Sequence, residues 1–184
     1  MSTLRSIAVL AFGLLVTAAA AAGDLVARSY DLGAHGTLQL RLPAGWGQEL
    51  RPHPGNFPPT IVLSGFESSG FLIKITPLWG QAGVADFGSP AYVHDLVVKA
   101  ARAVASQSVE GQLGLVRLGG PQLGYYFTAT DRAPDPGDFK YLTEGAVRVG
   151  GLVCTFTILT TDDKGPIKNQ VLTALSQAVY EGRK

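Results

Sequence analysis

The chain is poor in cysteine, in histidine and in net charge, and each scarcity removes a class of protein. One cysteine stands in 184 residues, so no intrachain disulfide forms and the fold has to be held by its apolar core. Lysine and arginine number 15 against 14 aspartates and glutamates. This interspersed balance gives no electrostatic reason to bind a polyanion such as nucleic acid. The three histidines, His35, His53 and His94, fall in a turn, a proline loop and a helix, with neither triad nor zinc spacing. No G-x-S-x-G elbow and no glycine-rich phosphate loop is present. The sequence accordingly predicts a protein without catalysis, cofactor or metal, with a hydrolase as the residual alternative. Asp131, Asp135 and Asp138 carry oxygens that suit calcium, yet their spacing is not that of an EF-hand, and Pro134, Pro136 and Gly137 read as a turn.

Long apolar runs are also missing beyond the first two dozen residues, where none approaches the roughly 20 residues of a membrane span. What does stand there is Arg5, an unbroken apolar run from Ile7 to Val16, and Ala20-Ala21-Ala22. Those are the three regions of a secretory signal, and they predict cleavage before Gly23. No cysteine follows the run to take a lipid. The expectation is a signal peptide over residues 1–22, then a single domain over residues 23–184, free in the periplasm or secreted. Removing the signal takes away Arg5 and leaves basic and acidic side chains equal in number.

The remaining pattern alternates between short strands and two helices. Thr37 to Leu42 alternates cleanly between Gly36 and Pro43, and a second short strand is predicted around Trp46 to Arg51. The prolines of residues 52–59 exclude helix and central strand. Strands over 60–66 and 71–78 keep Ile61, Leu63, Ile73 and Ile75 on one face only if residues 66–70 form a five-residue connection, or if Gly70 takes positive φ in a bulge. Ser89-Pro90 predicts a helix start, followed by a stripe of Val93, Leu96, Val97, Ala100 and Val104 ending near Gln107. Strands at about 113–118, 123–131, 139–149 and 152–161 follow, then a helix from about 166 to 181. The predicted class is α+β, an antiparallel sheet of seven or eight strands in ββββ-α-ββββ-α order, with both helices on its apolar side.

Two hairpins organise the second half. Gly150-Gly151 suits a two-residue turn, pairing Val149 with Leu152, Val147 with Cys154 and Thr143 with Ile158. Cys154 then reads as a small buried hydrophobe. The longer turn over 133–138 leaves the preceding register open, and pairing Tyr126 with Glu144 keeps Tyr125, Phe127, Phe139 and Tyr141 on the core face. The opposite face then carries Tyr126, Thr128, Thr130, Lys140, Leu142, Glu144, Arg148, Thr155, Thr157 and Leu159, with Gln39, Arg41, Ser64, Lys74 and Thr76 extending it. Such a face is either plain solvated sheet or a binding surface. In the second case Tyr126 and Leu142 are the anchors, and Glu144 and Arg148, beside Thr157, select the partner. A small-molecule carrier, with ligand between helix and sheet, is the alternative.

LQLRLPAGW from Leu38 to Trp46, LGYYFTATD, FKYLTEGAVRVGGLVCTFTILT and the C-terminal helix together resemble the PsbP-like superfamily. That group includes DcrB-like bacterial envelope proteins and a eukaryotic Ran-binding nuclear-transport factor. The resemblance spans about residues 36 to 181 and implies an antiparallel sheet sandwiched by helices, used as a binding or accessory module without catalysis. It transfers no functional residue. The expectation is an exported accessory protein of the cell envelope with a protein partner.

Overall fold

The computed structural model describes residues 24–65, 70–80, 84–163 and 165–183, so the expected signal peptide over 1–22 lies outside the described residues. The chain runs β1 (Leu25–Asp31), a 3-10 turn (Gly33–His35), β2 (Thr37–Pro43), β3 (Gly47–Arg51), β4 (Thr60–Ser64) and β5 (Phe71–Trp79). After α1 (Pro90–Ala105) come β6 (Val116–Arg117), β7 (Gly124–Thr130), β8 (Tyr141–Val149), β9 (Leu152–Thr160), α2 (Gly165–Ser176) and β10 (Val179–Glu181). The α+β class and the expected core order hold.

The strands divide between two antiparallel sheets, and this corrects the expected single sheet. β1-β2-β10 form a small sheet, and β3-β4-β5-β9-β8-β7-β6 form a seven-stranded one. Gln39 and Arg41 therefore belong to β2 of the small sheet and do not extend the polar face of the large one. The final helix stops at Ser176, not near residue 181, because Val179 to Glu181 pair with β2. Val179 continues the apolar spacing of Leu175, but half of it is exposed, and the Tyr180 hydroxyl is held by the His35 carbonyl at 2.9 Å.

α1 starts as its residues dictate. Ser89 Oγ accepts from the Tyr92 amide at 3.1 Å and Pro90 takes the first helical position, where its missing N–H costs nothing. The stripe Val93, Val97 and Ala101 is buried. It packs with Phe127, Ala129, Ala146 and Val153 on one face of the large sheet. Val171, Ala174 and Leu175 of α2, together with Leu38 and Leu40 of the small sheet, pack on the opposite face against Ile61, Ile73, Cys154 and Phe156. The two helices thus lie on opposite faces, not on one. Fully burying a side chain such as Phe156, 1% exposed, contributes about 1.5–3 kcal/mol of transfer free energy. Burial pushes the Cys154 thiol up to about 12.

Two of the three expected registers are observed. Val149 pairs with Leu152 and Thr143 with Ile158 across a turn in which Gly150 has φ 58°. Ile61 pairs with Ile75 and Leu63 with Ile73, the register expected for these strands, and Gly70 has φ 63°, while residues 66–69 of the expected connection lie outside the described residues. The third register is shifted by one residue: Tyr126 pairs with Gly145, and Phe127 with Glu144. The shift follows from the turn before β8. Thr130 pairs with Tyr141, and the Asp131 amide donates to the Lys140 carbonyl at 2.8 Å. Phe139 and Lys140 consequently fall outside β8. A one-residue slip exchanges every side chain between faces. Tyr125, Phe127 and Ala129 therefore face α1, whereas Tyr126, Thr128 and Thr130 face the side of α2.

Candidate functional site

α1 lies over β7 and β8. The side chains of β5 and β9 on the same face, Leu72, Thr76, Thr155, Thr157 and Leu159, stay half-buried, and Lys74 is exposed. The registers arrange this open face as lateral rows. The central row runs Glu49, Val62, Lys74, Thr157, Glu144 and Phe127. On one side of it Leu72, Leu159 and Leu142 are consecutive neighbours on β5, β9 and β8. On the other side stand Thr60, Thr76 and Thr155.

The chemistry of the three rows differs. The threonine row satisfies itself: Thr60 and Thr76 share a hydroxyl hydrogen bond of 2.8 Å, and His53 Nε2 lies 3.0 Å from Thr60 Oγ1. The leucine row offers apolar surface that cross-strand packing holds rigid. In the central row Lys74 is exposed. Burial raises the Glu144 carboxyl above the usual glutamate range. Apolar contacts beside a cation and an incompletely solvated carboxylate suit recognition of another surface more than bond making.

Three of the five expected binding residues come together here: Leu142, Glu144 and Thr157. Tyr126 does not, since the observed register turns it to the other face. There it lines a cleft of about 260 Å³ with Leu118, Leu172 and Ser176. Arg148 shares the face but sits at its far end, beside Gly88 ahead of α1, with Nε donating to the Gly150 carbonyl at 3.2 Å. Leu72, Lys74 and Leu159 complete the patch. Lys74 and Leu159 were legible from strand parity, whereas Leu72 was not singled out, because FLIKITPLW carries apolar residues on both faces.

The remaining polar groups are dispersed. His35 stacks on Trp79 with ring centroids 3.7 Å apart, and His94 meets the edge of Tyr125. Asp131 Oδ1 accepts from the Ala133 amide at 2.9 Å, as a turn-forming aspartate does. Glu110 is held below the usual carboxylate range by the Thr130 amide and hydroxyl, which donate to it. Among the described residues no group of three or more His, Cys, Asp or Glu is placed to hold a metal. No described helix is long and apolar enough to cross a membrane.

The fold has a solved counterpart. The solution structure of cyanobacterial PsbP (CyanoP) from Synechocystis sp. PCC 6803 superposes with a TM-score of 0.53 at 15% identity, covering 92% of this chain and 100% of that one. A crystal structure from Bacteroides thetaiotaomicron VPI-5482 gives a TM-score of 0.46 at 14% identity, over 80% of this chain and 45% of that one. The chain thus has a PsbP-like fold, in agreement with the resemblance read from its sequence. No protein-family model and no curated protein matches it.

Proposed function

We propose that this is an exported, non-catalytic accessory protein that captures a protein partner on the open face of its seven-stranded sheet. Residues 1–22 are its export signal and residues 23–184 its single working domain, in the periplasm or outside the cell. The observation that carries the reading is the row Leu72, Leu159 and Leu142 lying directly beside Lys74, Thr157 and Glu144. An apolar strip flanked by charge is the composition of a recognition surface, and a rigid sheet presents it without an ordering cost. The PsbP-like fold supports the reading at the level of architecture alone.

The test is site-specific photo-crosslinking in the native cell envelope, with the photoreactive residue at position 74 and a control at position 99 on α1. One defined protein captured from 74 and not from 99 is the expected result. No capture from 74, in a protein confirmed to be exported and folded, would remove the proposal. The carrier alternative has a cleft of about 160 Å³ between the end of α1 and the sheet, lined by Val104, Leu142 and Leu159. Ordinary ligand pockets occupy about 300–1,000 Å³, so this cleft is small for a ligand, whereas a cleft of about 580 Å³ lies between α1 and residues 111–115. A small adduct retained in native mass spectrometry would favour the carrier.

A further inference from the structure

The two edges of the seven-stranded sheet are unlike. One edge is β6, only two residues long, Val116 and Arg117, and so short a strand is a poor template for another chain. The other edge is β3, five residues long and, among the described residues, paired on one side only, with β4. Natural edge strands are blunted by charged side chains, lysine above all, by internal proline or by a bulge. GQELR has no lysine, internal proline or bulge, its two charges, Glu49 and Arg51, are of opposite sign, and its pairing with β4 runs unbroken from Gly47 to Arg51. It is also firmly held, since the Tyr30 hydroxyl donates to Gln48 Oε1 at 2.8 Å.

The side chains on β3 are complementary to themselves. Glu49 and Arg51 share the open face, more than half exposed, and touch each other at 2.8 Å. Between them Leu50 points to the other face and is 37% exposed. Beside it stands Phe57, 71% exposed, in the loop that follows β3; the two line one cleft with His35 and Trp79. Large exposed apolar side chains gathered at an unprotected sheet edge are the mark of a surface that becomes covered.

We infer that two copies of the chain pair through β3, antiparallel about a twofold axis at Leu50, joining their seven-stranded sheets edge to edge. In this register Leu50 meets Leu50 of the second copy, and Glu49 of each copy lies opposite Arg51 of the other. Directly opposed residues interact most strongly across a strand pair, and such a closed contact uses the same patch on both copies. Centring the pair on Glu49 would oppose two carboxylates, so charge selects the Leu50 register. Pro52 follows immediately and, lacking an N–H, ends the ladder there. β1, the longer edge of the small sheet, is less suited, because its own central residue, Arg28, would oppose Arg28 of the second copy. The dimer sets the two open faces side by side, so a partner would meet them as one continuous surface.

Charge reversal tests this without relying on loss alone. The association of the exported chain is measured by sedimentation equilibrium for the unaltered protein, for E49R, for R51E and for a mixture of the two variants. The unaltered protein dimerises, and each variant, with like charges opposed, has its dimer dissociation constant raised by about tenfold or more. In the mixture Arg faces Glu at both positions, so a heterodimer recovers the original affinity. Because the altered side chains are exposed, both variants keep the circular-dichroism melt of the parent; a variant that does not is replaced by L50C. Oxidised L50C forms a cross-linked dimer, whereas Q48C, four residues from its own copy in this register, does not. A chain that stays monomeric up to about 1 mM, a dimer indifferent to both charge reversals, or equal cross-linking from L50C and Q48C would each overturn the proposal.

Discussion

Phe127 stands directly opposite Glu144 across β7 and β8, and the pair sets a fully buried aromatic against a half-buried carboxylate on the face that α1 covers. Burial withdraws water from the carboxylate, and on β9 its other neighbour is Thr157. Glu144 therefore marks the boundary where the packed half of this face gives way to the open half. Its raised titration is the electrostatic trace of that position.

Glu144→Gln is expected to stabilise the protein slightly at neutral pH, by less than about 1 kcal/mol because the group is part-exposed and screened. The sign follows from linkage. A carboxyl raised in the folded state favours folding while protonated, and that contribution disappears as pH rises through the folded value. The stability difference between variant and parent should therefore be near zero below the ordinary glutamate pKa and grow as pH rises above it. Urea unfolding at several pH values checks this; a difference that is flat across pH would assign Glu144 no linkage.

Gly145→Ala should cost about 1–3 kcal/mol, the usual range for overpacking a closed interior. A Cβ there meets the Tyr125 carbonyl oxygen and, at 2.6 Å, the tip of the Phe156 ring. Phe156 is Gly145's partner on β9 and Tyr126 its partner on β7, so neither side can retreat without breaking a ladder. Denaturant melts of the variant measure the loss, and an unchanged midpoint would mean that the Phe156 ring has another place to go.

Tyr180→Phe isolates the bond that ties the chain end to the first turn. The hydroxyl donates to the His35 carbonyl, and an intramolecular hydrogen bond of this kind contributes about 0.5–1.5 kcal/mol net. The variant keeps the ring against Gly150 and loses only the bond. Hydrogen exchange should report faster opening of β10 than of β9, since the small sheet loses its anchor first.

How legible each part was depended on how tightly local chemistry bound it. The β8–β9 register was readable because Gly150-Gly151 leaves room for little but a two-residue turn, and Leu142, Glu144 and Thr157 inherit their shared face from it. β7 was not, for two reasons. The turn before β8 is long enough to accept either parity, and Tyr125, Tyr126 and Phe127 are apolar on both faces because α1 covers one and α2 approaches the other. Tyr126 was misplaced by that ambiguity alone. β1 escaped notice because Leu25, Ala27, Ser29 and Asp31 are exposed and only Tyr30 is buried, which leaves a weak alternation. β10 was absorbed into α2 because Ala178 and Val179 extend the apolar spacing of the helix, and the pairing with β2 that overrides it is remote in sequence.

The last prediction concerns Cys154, which is fully buried on β9 between Pro77 of β5 and Val147 of β8. Burial raises its thiol to about 12, so at pH 8 the folded protein holds almost no thiolate, and a reagent has no path to the sulfur. Alkylation must then wait for the two central strand pairs to separate, and it should proceed about a thousandfold or more slower than for a free thiol, in keeping with a small unfolded fraction. Adding denaturant should raise the rate in step with loss of circular dichroism, because β9 is enclosed on both edges and opens only with the sheet. Rapid labelling of the native protein would instead mean that β5 or β8 detaches locally, which would also unseat the row of leucines on which the proposed partner capture rests.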